Sequence, residues 1–287
     1  MILYSPAKIN IGLKVIKRRQ DGFHDLQSVM FPTGLCDIIE IRKTGRPESG
    51  IILSRSGIPL EEGSGKNLCV LAYEILAGQT NLPRVEVHLH KQIPVGAGLG
   101  GGSSNAANLL KGLNSMATLP VSRNLLHELS AGLGSDCPFF LNNRPMMMEG
   151  RGEILSPVDV RLQQMYLVLL FPGIHISTAE AYAGIRPGNS GPHLGKLITE
   201  PVEMWKDLII NDFEVTVFEK YPVLSRLKSE LYGRGALYAS LSGSGSSVYG
   251  IFKDHPELPD NLERIAVWKG TIRTEPGENP WEPALPA

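Results

Sequence analysis

The chain lacks any apolar run near the ~20 residues that span a bilayer, so no membrane-spanning helix is expected. It has only three cysteines, Cys36, Cys69 and Cys137, odd in number and far apart. That excludes a disulfide framework and a clustered zinc pattern, and a reduced, cytoplasmic compartment fits best. Neither charge sign is in excess: 28 Lys+Arg stand against 29 Asp+Glu, a formal net charge of −1. A nucleic-acid partner is therefore not expected, because its electrostatic footprint would be a cationic surplus. Met1 to Gly12 lack the basic segment and long apolar stretch of a signal peptide. Internal repeats and low-complexity tracts are absent as well.

What remains is a soluble, globular composition. The 287 residues suggest about two domains. Thirty-one glycines and 21 prolines break the chain into many short elements. Ile38–Arg42 and Gly50–Ser54 read as strands, with Thr44 to Ser49 as a hairpin loop between them. Lys66–Leu76 carries apolar residues at helical spacing, and Val85–Leu89 alternates as a half-buried strand does. Ala106–Leu113 is rich in alanine and leucine, hence helical. Ser122 is placed to cap a helix that runs to Leu133 and ends at Gly134. Glu149 to Gly152 reads as a turn, Tyr166–Phe171 as a buried strand, and Pro280–Ala287 as a loose tail. Helices and strands interleave in both halves, which predicts a two-domain α+β or α/β protein divided near residue 153, into 1–153 and 154–287.

The richest segment runs from Ile93 to Ala107 and joins a strand to a helix. Its glycines let backbone N–H groups approach a ligand closely. Successive N–H groups form an anion nest, and the following helix start adds positive partial charge. Three readings compete: a flexible turn, a dinucleotide fingerprint and a nucleotide-triphosphate cradle. Gly96, Gly98 and Gly101 fit G-x-G-x-x-G, which needs an acidic residue about 20 positions on. No Asp or Glu occurs between Glu86 and Glu128, and no Walker lysine follows the glycines. The phosphate-cradle reading is favoured.

Pro94-Val95-Gly96-Ala97-Gly98-Leu99-Gly100-Gly101-Gly102-Ser103-Ser104-Asn105-Ala106-Ala107 resembles the ATP loop of the GHMP kinases, which include galactokinase, homoserine kinase and mevalonate kinase. Ser5 to Leu13 resembles the family's first motif, Gly132 to Phe140 its aspartate-bearing segment, and Leu241 to Tyr249 its third motif. The extra glycine before Ser103, with Asn105 after Ser104, resembles the branch whose acceptor is cytidine diphosphate-linked methylerythritol in non-mevalonate isoprenoid synthesis. That resemblance implies an α+β, two-domain GHMP kinase fold: an N-terminal ribosomal-protein-like α/β domain and a C-terminal ferredoxin-like α/β sandwich.

It also implies roles. Asp136 is the candidate base and Lys8 the candidate cation, although a helix cap and a solvated strand residue are their plain alternatives. Asn10 shares a strand face with Lys8 and would orient the substrate. Phe23, His24 and Tyr182 would take the cytidyl group, Phe23 and Tyr182 sandwiching the base, and Thr178 would lie near the substrate. The branch commonly has tyrosine where Phe23 stands. Pro94, Gly96, Gly98, Leu99, Gly100, Gly101, Gly102, Ser103 and Ser104 would hold ATP. Asn67 and Lys91 would line the adenine pocket, or else cap a helix and meet solvent. Mg²⁺ would accompany ATP as cofactor, with Ser104 a candidate metal ligand. Cys137 reads as a small buried residue. Asn211 to Glu214 is familiar from these kinases and is assigned structure without chemistry. The other partners implied are the small-molecule substrate alone, no membrane, and a monomer or homodimer. A GHMP kinase for another small alcohol and a catalytically silent nucleotide-binding regulator are the alternatives.

Overall fold

The computed structural model describes residues 1–45, 50–59, 66–185, 187–188 and 191–272. Part of the expected hairpin loop, Arg46 to Ser49, and the tail Pro280 to Ala287 lie outside the described residues. Two compact units emerge, neither continuous in sequence.

The first unit comprises Met1–Ala7, Leu35–Val95 and Gly100–Asn143. It takes the start of β1 (Ile2–Arg18) and the second half of β2 (His24–Lys43), followed by β3 (Ile51–Gly57), α1 (Leu68–Ala77) and β4 (Val85–Lys91). Then come α2 (Gly101–Met116), α3 (Arg123–Leu133) and the short α4 (Cys137–Asn142). β4 buries every second residue, as its alternating sequence demands. It pairs antiparallel with β2 and parallel with β3. The hairpin expected from Ile38–Arg42 and Gly50–Ser54 is therefore absent. β4, with one strand on each side, separates them, a non-local pairing that a turn signal cannot report. The helices pack on one another, α2 at their centre with Ala106, Ala107, Leu109, Leu110 and Leu113 fully buried. Gly112 lets α2 lie close on Leu3 and Ile41 of the sheet. Ser122 caps α3 as expected, its hydroxyl accepting from Leu125 N–H, and Gly134 ends the helix.

The second unit comprises Lys8–Gly34, Gly96–Leu99 and Arg144–Ala287. β5 (Met146–Gly150) pairs with the first half of β2, and β6 (Ile154–Pro157) with β5, both antiparallel. The turn expected at Glu149 to Gly152 joins those two strands. β7 (Tyr166–Leu170) is followed by α5 (Thr178–Ala183), α6 (Leu194–Leu197), a 3₁₀ turn, α7 (Trp205–Leu208), α8 (Phe213–Lys220) and α9 (Pro222–Gly233). β8 (Tyr238–Leu241), β9 (Val248–Phe252), α10 (Asp260–Glu263) and β10 (Ala266–Thr271) complete it. These last strands form an antiparallel sheet of order β10-β7-β9-β8, with α9 packed on β8 and β9. Leu167 to Leu170 have no exposure, which is why that stretch reads as continuously apolar. Among the described residues, no helix is long and apolar enough to cross a membrane.

Candidate active site

In the second unit, three sequence motifs converge. Lys8 and Asn10 lie two apart on β1, so their side chains share a face, and both are buried. Lys8 Nζ donates to Asn10 Oδ1 at 2.6 Å and to the Gly98 carbonyl at 2.9 Å. Lys8 N–H meets the Leu99 carbonyl at 3.0 Å, so the strand clasps the glycine loop by backbone and side chain alike. Asn10 Nδ2 donates to Ser28 Oγ at 2.8 Å, and the Asn10 backbone carbonyl accepts from Tyr249 Oη at 2.8 Å. Both ends of the Asn10 side-chain amide are thus engaged, Oδ1 by Lys8 and Nδ2 by Ser28.

The turn between β8 and β9 closes the arrangement. It joins two antiparallel strands and packs on the glycine loop. Ser242 Oγ donates to Gly98 O at 3.0 Å, and Ser247 N–H to Ala97 O at 3.2 Å. Gly98 has φ +76°, and a Cβ there would stand 2.1 Å from the Ser242 carbonyl oxygen. Only glycine fits so close an approach. Asn211 Nδ2 holds the turn through the Leu241 and Gly243 carbonyls, and Glu214 Oε1 accepts from Ser240 Oγ and Leu241 N–H. The Asn211 to Glu214 segment is structural, as its sequence reading holds.

The residues expected to bind the acceptor, Phe23, His24, Thr178 and Tyr182, belong to the same unit. His24 stacks on Tyr182, ring centroids 4.8 Å apart and 20° from parallel, and Phe213 meets Tyr182 edge-on. Burial pushes the Tyr182 phenol up. Phe23 is 56% exposed, with Arg151 over its ring at 5.0 Å. The ring stacked on Tyr182 is that of His24, and Phe23 lies just ahead of β2. Thr178 is exposed at the start of α5, which Ser177 caps by accepting from Glu180 N–H.

In the first unit, the starts of α1 and α2 and the end of β4 come together. Asn67 caps α1, its Oδ1 accepting from Cys69 N–H at 2.9 Å. α2 begins at Gly101 behind Gly100, which has φ +69°, and it has no side-chain cap and no acid in its first turn. Its leading N–H groups are thus left without a side-chain cap, as an anion site at a helix start requires. A Cβ on Gly102 would stand 3.7 Å from Leu68 of α1, and one on Gly101 would stand 3.3 Å from Lys91 Nζ. Lys91 is not solvated: it is buried and ion-paired with the fully buried Asp37.

Ser103 is half-buried, near Gly134 and the Cys137 thiol. Ser104 is fully buried, its oxygens facing the Asn108 amide. That enclosure does not fit the metal-ligand role suggested for Ser104. No group of three or more His, Cys, Asp or Glu among the described residues is arranged to hold a metal ion. Pro94 and Leu99 are buried, and Gly96 is half-buried. Asp136 is half-buried at the N-terminal end of α4, and its side chain makes no cap hydrogen bond. The capping alternative is therefore not realised. Burial pushes the Cys137 thiol up to about 11, consistent with a packing role.

Sequence reasoning overlooked Ser28, Ser242, Arg151 and Asp37. Asp37 had a signal: it is in phase with the buried Leu35, Ile39 and Ile41 of β2. An acid on the inward face of an alternating strand must find partners inside.

Comparison with known proteins agrees with the motifs. The model for the GHMP kinases N terminal domain matches residues 67–144, and that for the GHMP kinases C terminal domain matches residues 194–265. The chain is 45% identical over 254 residues to 4-diphosphocytidyl-2-C-methyl-D-erythritol kinase of Azobacteroides pseudotrichonymphae, covering 88% of this chain and 94% of that one. It is 43% identical to the kinase of the same name from Bacteroides thetaiotaomicron, covering 91% and 95%. A crystal structure of 4-(cytidine 5′-diphospho)-2C-methyl-D-erythritol kinase superposes with a TM-score of 0.79 at 31% identity, covering 97% of this chain and all of that one. A mevalonate kinase structure shares the fold, with a TM-score of 0.65 at 15% identity, covering 88% and 91%.

Proposed function

The chain belongs to the GHMP kinase family, and we propose that it transfers the γ-phosphoryl group of ATP to the 2-hydroxyl of 4-(cytidine 5′-diphospho)-2-C-methyl-D-erythritol. The single observation that carries this reading is the cluster of Lys8, Asn10, Gly98 and Ser242, three family motifs locked together by side-chain bonds. Identity above 40% to kinases of that name supports the substrate.

The acceptor hydroxyl is on a carbon that also bears a methyl group, so it is crowded and weakly acidic. It has to be held in line with the γ-phosphorus, and such positioning contributes about 7–11 kcal/mol in favourable cases. Asp136 accepts the hydroxyl proton as the phosphoryl group transfers. Lys8, aimed by Asn10 and the Gly98 carbonyl, offsets the charge that develops on the phosphoryl oxygens. The uncapped start of α2, with Ser103, binds the triphosphate, and Asn67 and Lys91 line the nucleotide's other end. His24, seated on Tyr182, presents its imidazole edge to the cytosine, and Phe23 supplies an exposed face for stacking. Thr178 completes the acceptor site. Mg²⁺ accompanies ATP and is held chiefly by phosphate oxygens. The enzyme works in the cytoplasm.

A coupled ADP-release assay with the cytidyl substrate, its uridyl analogue, mevalonate and homoserine tests the reading. Turnover with the cytidyl compound and strong loss with the uridyl one are expected, because the exchange of an amino group for a carbonyl unpairs buried polar groups. Faster turnover of mevalonate or homoserine would move the chain to another branch of the family. No ADP from any alcohol would leave a silent nucleotide-binding protein.

A further inference from the structure

Asp37 has no solvent exposure and three partners, all in its own unit. Oδ1 accepts from Gln92 N–H at 2.7 Å and from Ile93 N–H at 2.9 Å, and Oδ2 pairs with the Lys91 ammonium. One carboxylate therefore governs three consecutive residues at the end of β4, directly ahead of Pro94, where the glycine segment begins. The ammonium it holds lies under Gly101, the first residue of α2. A helix start and a lysine are both positive, and without a neighbouring anion they would push apart. Cys69, two residues after Asn67, feels both members of the pair: burial pushes its thiol up to about 12, Asp37 adds to the rise and Lys91 opposes it. The pair thus stands where α1, β4 and α2 meet.

A well-packed apolar pair would hold a fold as well as a buried ion pair does. It would not fix a cation beneath a helix start, nor anchor two N–H groups at the entrance to a loop. We propose that Asp37 is a positioning residue for the nucleotide: by gripping Lys91, Gln92 and Ile93 it sets the cation and the loop entrance to the geometry ATP requires. This role rests on the reading that ATP binds at this corner.

Nucleotide affinity separates the two ideas. Calorimetric titration of ADP with Mg²⁺ into the full chain should show binding. Asp37→Asn should weaken that binding roughly tenfold or more, the size of one lost charge-assisted hydrogen bond. In steady state, KM for ATP should rise while KM for the acceptor does not move. Lys91→Met should weaken ADP similarly, and Asp37→Asn/Lys91→Met should weaken it more than Lys91→Met alone, because the carboxylate also holds the Gln92 and Ile93 N–H groups. Folded Asp37→Asn protein with wild-type affinity would overturn the role, whatever its melting temperature. Where Asp37→Asn does not fold, the double variant decides: affinity equal to that of Lys91→Met alone would show that the carboxylate does nothing for the loop entrance and would overturn the role. A wild-type chain that binds no ADP fails the functional reading itself, and this role with it.

Discussion

Lys8 and Asn10 show how far single residues can be read. A cation and an amide two apart in an apolar strand have to share a face, and the 2.6 Å bond between them follows. The stack of His24 on Tyr182 was not read from the sequence, because the two rings are more than 150 residues apart in the chain. Asp37 was hidden for the same reason: its partners are a strand away, more than 50 residues later. At this scale the base is the first thing to test. Asp136→Asn should cut turnover by about 10²–10⁴, the range of general acid–base catalysis, and leave nucleotide affinity nearly intact. Near-normal kcat in a titrated, folded variant would remove Asp136 from that role. Lys8→Ala should lower the single-turnover rate as strongly, because the stabilisation it gives is made only in the transition state. The cysteines yield a quieter test. Burial pushes Cys36 and Cys69 up to about 12 and Cys137 up to about 11, so almost no thiolate forms at pH 8. Iodoacetamide should label the native chain slowly and the denatured chain at all three thiols; rapid native labelling would contradict this packing.

Elements announce themselves when their signals are local. The Ser122 cap and the Gly134 stop of α3 sit where they were expected, because each acts within one turn. The glycine loop was legible as a strand-to-helix junction for the same reason. Its tightness comes from the β8–β9 turn, more than 140 residues away. The place of β3 beside β4 was closed to inspection, because strand pairing depends on the whole sheet. The close approach of loop and turn makes a sharp comparison. Gly98→Ala sets a Cβ 2.1 Å from a backbone oxygen at positive φ, so either the loop or the turn has to move. A destabilisation of more than about 1 kcal/mol, with loss of nucleotide binding, is expected. At Gly102, in helical geometry, the nearest obstacle is a Leu68 methyl at 3.7 Å. Gly102→Ala should therefore keep the melting temperature. Denaturant midpoints for both variants check the contrast, and equal midpoints would mean that the loop is looser than these distances state.

The molecule as a whole is less legible than its parts. Three motifs in order disclose the family, since each is short and chemically particular. The compact units could not be read from order, because β1 and β2 each contribute residues to both. The second unit depends on those N-terminal residues through specific bonds. Val15 N–H donates to Asp212 Oδ2 at 2.7 Å, Tyr249 Oη to the Asn10 carbonyl, and Leu13 bridges Asn211 in parallel. A fragment of residues 154–287 would lose every one of these partners and strip Tyr249, a fully buried side chain whose phenol burial pushes far up, of its acceptor. An unpaired buried hydroxyl costs about 1–3 kcal/mol, and the stability of a whole domain is only about 5–15 kcal/mol. Several such losses, added to the apolar surface uncovered when Lys8–Gly34 is gone, exceed what the fragment can bear. Residues 154–287 expressed alone should therefore lack a cooperative thermal transition and near-ultraviolet circular dichroism. A cooperative melt in that fragment would show that its sheet and helices suffice without the N-terminal strands.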